Sequence, residues 1–153
     1  MILRTRKHKG FTLIELLVVV AIIGLLASVI ALNFTNSRRK ARDAKRLTDI
    51  DQIRTGLDLY YSHGGGYPTD DTWNAAESAG TLDCDNTFIM RIPTDLVATT
   101  PYVYTGGGND STGCGGNVNT TYKFQFTTEG PSAVGDAGTY YLSPAGITTT
   151  PPF

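Results

Sequence analysis

The chain has 153 residues, enough for one small domain with its own core, and 41% of them are hydrophobic, which excludes wholesale disorder. Formal net charge is −1, but 11 of the 13 Lys and Arg lie in the first 54 residues. From residue 55 onward only Arg91 and Lys123 stand against ten acidic residues, a net of −8. That polarity is a statement about partners rather than fold.

The first element is a short basic stretch, residues 1–9, followed by Gly10 and a long apolar run. Residues 16–32 carry no charge over 17 positions. With residues 11–14 added, the run reaches membrane-spanning length, interrupted only by Glu15. Three readings compete. A secretory signal peptide cut after Ala31 has too long an apolar core and a carboxylate out of place. A plain single-pass anchor leaves Glu15 unexplained. The third is a leader cut before the apolar segment, which then stays on the mature protein.

The string KGFTLIELLVVVAIIGLLA carries the third reading. It resembles the type IV prepilin signature: a basic leader, Gly10, aromatic Phe11, and Glu15 at the fifth position of the mature chain. The resemblance implies cleavage between Gly10 and Phe11 by a prepilin peptidase and N-methylation of Phe11. It also implies that Glu15 pairs with the amino terminus of a neighbouring subunit during assembly. The local alternative is a capping box, with Glu15 closing the helix start at Thr12.

No proline occurs before Pro68. Ala41, Ala44, Leu47, Ile50, Ile53, Leu57 and Tyr60 recur at helical spacing, so one helix is expected over residues 12–62, about 75 Å long. Gly64, Gly65 and Gly66 end it. The stretch from Lys40 to Pro68 also resembles the major pseudopilins of type II secretion. Many pilins have a proline near position 32, where this chain has Leu32; without it, local melting of the helix on assembly is left open, with Gly24 and the polar stretch 33–36 as the places that could still loosen it.

Six basic residues fall between Arg38 and Arg46. They read as a solvated helix face with intrahelical pairs, as a collar that docks on the acidic head of another subunit, or as a DNA-binding patch. By charge count alone the membrane orientation is close to a tie; the signature places the leader in the cytoplasm and the head outside.

Residues 87–92, 101–106, 120–129 and 138–147 read as strands, with Tyr122, Phe124 and Phe126 alternating against Lys123 and Gln125. The tail, residues 148–153, is expected to be loose. The fold class is therefore α+β, a long N-terminal helix on a small antiparallel-sheet head, the pilin fold of the resemblance. The divisions are a leader at 1–10, a transmembrane or filament-core helix at 11–34, its amphipathic half at 35–62 and a β-rich head at 63–153.

Cys84 and Cys114 are too few for a zinc site. In an oxidising compartment they read as one disulfide, worth on the order of 3 kcal/mol, or else as two buried thiols. Asp83, Asp85, Asn109, Asp110 and Asn117 supply oxygens for calcium, which some major pseudopilins bind in a late loop, but their spacing fits no fixed pattern. An ordinary surface loop pinned by Cys114 is the alternative, and no cofactor is otherwise expected. No nucleophile, base or cofactor-loop arrangement suggests an enzyme; His63 suits a helix end better than catalysis.

The functional expectation is a structural subunit of a type IV pilus or type II secretion pseudopilus. Its expected partners are copies of itself, the prepilin peptidase, an inner-membrane assembly platform and membrane lipid before assembly. The alternatives are a membrane-anchored binding domain that never polymerises and a DNA-uptake pilin.

Overall fold

The computed structural model describes residues 10–97, 99, 101–108, 111–114 and 116–153, with the side chains of 29–33 and 111 outside that set. The chain divides into two units, residues 1–38 and 39–153. The helix α1, Leu13–Gly64, contributes to both.

In the first unit, every described side chain from residue 11 to 28 is exposed, including Leu13, Ile14, Leu17, Ile23 and Leu25. Nothing among the described residues covers this apolar surface. Among the same residues no helix is long and apolar enough to cross a membrane. The expected span runs to residue 34 and includes 29–33, whose side chains lie outside the described residues.

The second unit is a head built on the later turns of α1. Ile50, Ile53, Leu57 and Tyr60 are buried at the predicted spacing. The lower end of the stripe is not apolar as expected. Ala41 and Ala44 are exposed, while Asp43, Arg46 and Asp49 continue the buried face at spacings of three. Periodicity locates the face correctly from Leu47, half-buried against the core, onward and fails before it, where ionic groups fill the face. Gly65 adopts the left-handed conformation at φ 72°, and its N–H donates to Tyr61 O at 2.8 Å, which stops the helix.

Three antiparallel sheets follow among the described residues. They comprise β1 (Thr81–Cys84) with β2 (Thr87–Arg91); β3 (Val103–Gly107), β6 (Thr121–Thr128), β7 (Gly138–Ser143) and β8 (Gly146–Thr148) in the order β3-β6-β7-β8; and β4 (Ser111–Gly113) with β5 (Gly116–Val118). The alternation of β6 is as expected: Tyr122, Phe124 and Phe126 are buried, opposite Gly106, Tyr104 and Tyr140 of its neighbours. The expected strand 138–147 is two strands joined by a turn at Pro144 and Ala145, after which Gly146 opens β8 at φ 126°. Beyond Thr148 the tail is exposed and irregular, but its last residue touches the sheet. The Lys123 ammonium donates to the Phe153 carbonyl at 3.1 Å and sits 4.7 Å above its ring.

A short helix, α2 (Asp70–Ala79), adds to the expected elements. Its signal is present in the sequence: Thr69 accepts a hydrogen bond from the Thr72 N–H, and Asp70 and Asp71 fill the first turn. Trp73 from α2 stacks on Tyr104 at 4.5 Å and meets Phe124 edge-on, extending the core.

One core atom is unsatisfied. Tyr122 is fully buried, and its Oη has no hydrogen-bond partner among the described residues. Tyr104 Oη, in contrast, donates to the Pro68 carbonyl at 2.7 Å. Tyr122→Phe should leave stability unchanged or raise it, whereas Tyr104→Phe should lose about 1 kcal/mol. Urea midpoints of the two variants check this, and equal losses would mean that Tyr122 Oη has a partner after all.

Candidate functional site

Gly10, Phe11 and Thr12 precede the helix and are exposed. Among the described residues no heavy atom lies within 4 Å of where a Cβ at Gly10 would be, so none of them demands glycine there. The rest of the expected leader, residues 1–9, lies outside the described residues. Glu15 closes a reciprocal capping box. The Thr12 N–H donates to Glu15 Oε2 at 3.0 Å, the Thr12 hydroxyl donates to the same oxygen at 2.8 Å, and the Glu15 N–H donates to Thr12 Oγ1 at 3.2 Å. All of this falls on Oε2; among the described residues Oε1 accepts nothing.

The basic stretch divides in two. Arg38 lies over the Phe34 ring at 4.9 Å, and neither it, Arg39 nor Lys40 has a carboxylate partner among the described residues. Arg42, Lys45 and Arg46 are committed to the head. Arg42 pairs with Glu129, and Lys45 with Asp49 at 2.6 Å. Arg46, 2% exposed, forks onto Asp95 at 2.8 and 3.2 Å and reaches Asp43 at 2.9 Å and Glu129 at 3.0 Å. Asp43 in turn accepts the N–H groups of Glu129 and Gly130. Of the reading as a solvated face with intrahelical pairs, the pairs Lys45–Asp49 and Arg46–Asp43 are present, but the solvated face is corrected at Arg46, which is interior.

The electrostatics follow this geometry. The Arg42 hydrogen bond, opposed by partial burial, holds the Glu129 carboxyl down at about 2. Burial pulls the Arg46 guanidinium down, but its bonds to Asp95 and Asp43 outweigh that and hold it above its ordinary value. Burial and then Asp49, which accepts the Tyr102 hydroxyl at 3.0 Å, push the Tyr102 phenol up.

Cys84 and Cys114 form a disulfide. It joins the β1–β2 hairpin, whose turn residues Asp85 and Asn86 both have positive φ, to the β4–β5 hairpin. A Cβ on Gly64 would strike Cys114 Sγ, so glycine at the end of α1 lets this bridge lie against the helix. Of the calcium candidates, Asp83 and Asn117 line an open polar recess of about 820 Å³ together with Asp70 and Asp71. Asp85 lines a neighbouring recess that also includes Asn117. Asn109 and Asp110 lie outside the described residues. Among the described residues no three His, Cys, Asp or Glu side chains are grouped to hold a metal. The loop expected at 106–119 is largely the β4–β5 hairpin rather than irregular chain.

Residues 5–31 match the family model of the prokaryotic N-terminal methylation motif. The chain carries that motif. It is similar to type II secretion system core protein G of Vibrio cholerae serotype O1, 43% identical over 68 residues, 44% of this chain and 47% of that protein. The Escherichia coli (strain K12) protein of the same name is 42% identical over 65 residues, covering 42% of this chain and 45% of that one. Fimbrial protein EcpB of Eikenella corrodens is 38% identical over 59 residues, 39% and 37% of the two chains. The chain thus spans under half the length of these relatives. No solved structure matches it.

Proposed function

We propose that this chain is a structural, non-catalytic subunit of a type II secretion pseudopilus or related type IV filament. It inserts once in the bacterial inner membrane with the head outside the cytoplasm, is cut between Gly10 and Phe11, and polymerises through α1. The observation that carries this is an apolar helical segment with every described side chain exposed, headed by a carboxylate. So much uncovered apolar surface needs lipid or other copies of the same helix around it.

Glu15 suits both stages. Its Oε2 caps the helix in the single subunit, and its Oε1 remains open to a cation. Cleavage would supply that cation as the α-amino group of Phe11 in a neighbouring copy. A buried carboxylate in hydrocarbon strongly favours such a partner. The exposed, non-helical Gly10–Phe11 bond is accessible to a peptidase, and the requirement for glycine would then come from the peptidase. The names of the relatives, a secretion-system core protein and a fimbrial protein, support the filament class.

In bacteria with a prepilin peptidase and an assembly platform, Glu15→Ala should be exported and processed to a chain beginning at Phe11. Filament yield should fall at least tenfold. Intact mass and electron microscopy read the two steps separately, and normal filaments from the variant would overturn the pairing.

A further inference from the structure

The geometry points to an anionic lipid headgroup site at Arg38, Arg39 and Lys40, which holds the unassembled subunit at the outer surface of its membrane. This rests on the membrane-inserted reading above. Arg38 lies six residues beyond Leu32, the end of the charge-free run, or about 9 Å along a helix. A headgroup layer is roughly 5–8 Å deep on each side of the hydrocarbon, so these three residues fall at or just beyond phosphate level. Arg42 is about 6 Å farther on and is already paired with Glu129 of the head.

The pairing pattern follows this depth. The basic residues beyond the headgroups, Arg42, Lys45 and Arg46, are consumed by carboxylates of their own chain. The three at headgroup depth are exposed and have no carboxylate among the described residues. Phe34, 57% exposed beneath the Arg38 guanidinium, gives an apolar ring and a cation on successive turns, the amphipathic combination favoured at an interface. The acidic surface of a second subunit is the competing partner. The lipid is favoured by depth, because Arg38, Arg39 and Lys40 follow directly on the apolar run, at the level of the lipid phosphates.

The test uses the full chain in vesicles of phosphatidylglycerol mixed with phosphatidylcholine. The protein is extracted in mild detergent, and the lipids that remain bound are counted by native mass spectrometry. The wild type should retain phosphatidylglycerol preferentially. R38Q/R39Q/K40Q should lose at least tenfold of that preference, from a ceiling on the order of 100-fold at about fivefold per basic residue. R38K/R39K should keep it, and Arg91→Gln should behave as wild type.

A neutralised variant that still prefers phosphatidylglycerol would overturn the proposal. So would an unchanged lipid preference combined with filaments that fall apart at low salt, since the basic residues would then serve a second copy. A wild-type chain that binds the lipid but never polymerises would sink the filament reading and leave this one standing.

Discussion

Arg46→Ala should cost the head about 3–5 kcal/mol, a large share of the roughly 5–15 kcal/mol that holds a small domain folded. The loss comes from what remains behind. Asp43 is 3% exposed and the Asp95 side chain 2%, and both would stay buried without the guanidinium that pairs with them. Asp43 retains the two N–H groups of Glu129 and Gly130, so Asp95 is the more severely orphaned. Arg46→Met fills part of the volume and should fail nearly as badly, which distinguishes lost charge from lost packing. R46M/D95L removes the orphan together with its partner and should recover a substantial part of the stability, because a buried pair is worth little net against well-packed apolar groups. Urea unfolding of the detergent-solubilised chain, followed by the fluorescence of Trp73, gives all three values. A loss under 1 kcal/mol in Arg46→Ala would mean that the cluster is wet and unimportant.

That cluster also marks the limit of what local sequence encodes. The stripe Ile50, Ile53, Leu57 and Tyr60 is legible because apolar residues at spacings of three and four point to one buried helix face. Asp43 and Arg46 share the same phase, but charged residues at that spacing are usually solvated. Their interior position depends on Asp95 and Glu129, which lie 49 and 86 residues away in sequence. No local pattern encodes a partner at that distance. Alanines at 41 and 44 suggest core because they are apolar, yet they face outward.

The candidate site is more legible, because its chemistry is local. Gly10, Phe11, Thr12 and Glu15 fall within six consecutive residues, so the capping box can be read directly from the spacing. Helix α2 is harder to read because paired acids such as Asp70 and Asp71 suit a turn as well as a helix start, although Thr69 before them is a good N-cap. The strands β1, β4 and β5 have three or four residues each and lie in sequence where propensity carries little. The β1–β2 and β4–β5 hairpins are tied by a covalent bond that the sequence leaves open between a disulfide and two thiols.

Removing that bond is the second large expected effect. C84A/C114A should destabilise the head by roughly 3–4 kcal/mol, the loop-closure value for a separation of 30 residues. The reduced wild type should lose a similar amount, which checks that the cause is the missing crosslink rather than the substituted side chains. The structural reason is that the β4–β5 hairpin has few other ties. Its own Val118 is buried, and Asn119 and Tyr67 exchange two backbone hydrogen bonds at 2.8 and 2.7 Å, but among the described residues the hairpin pairs with no other strand. Without the disulfide it should therefore open before the rest. Hydrogen exchange should show early loss of protection at residues 111–118, while β6 and β7, paired over five residues, stay protected until global unfolding. If oxidised and reduced protein unfold at the same urea midpoint, the crosslink closes a loop already held shut by packing against Gly64. The hairpin would then owe its position to that contact and not to the bond.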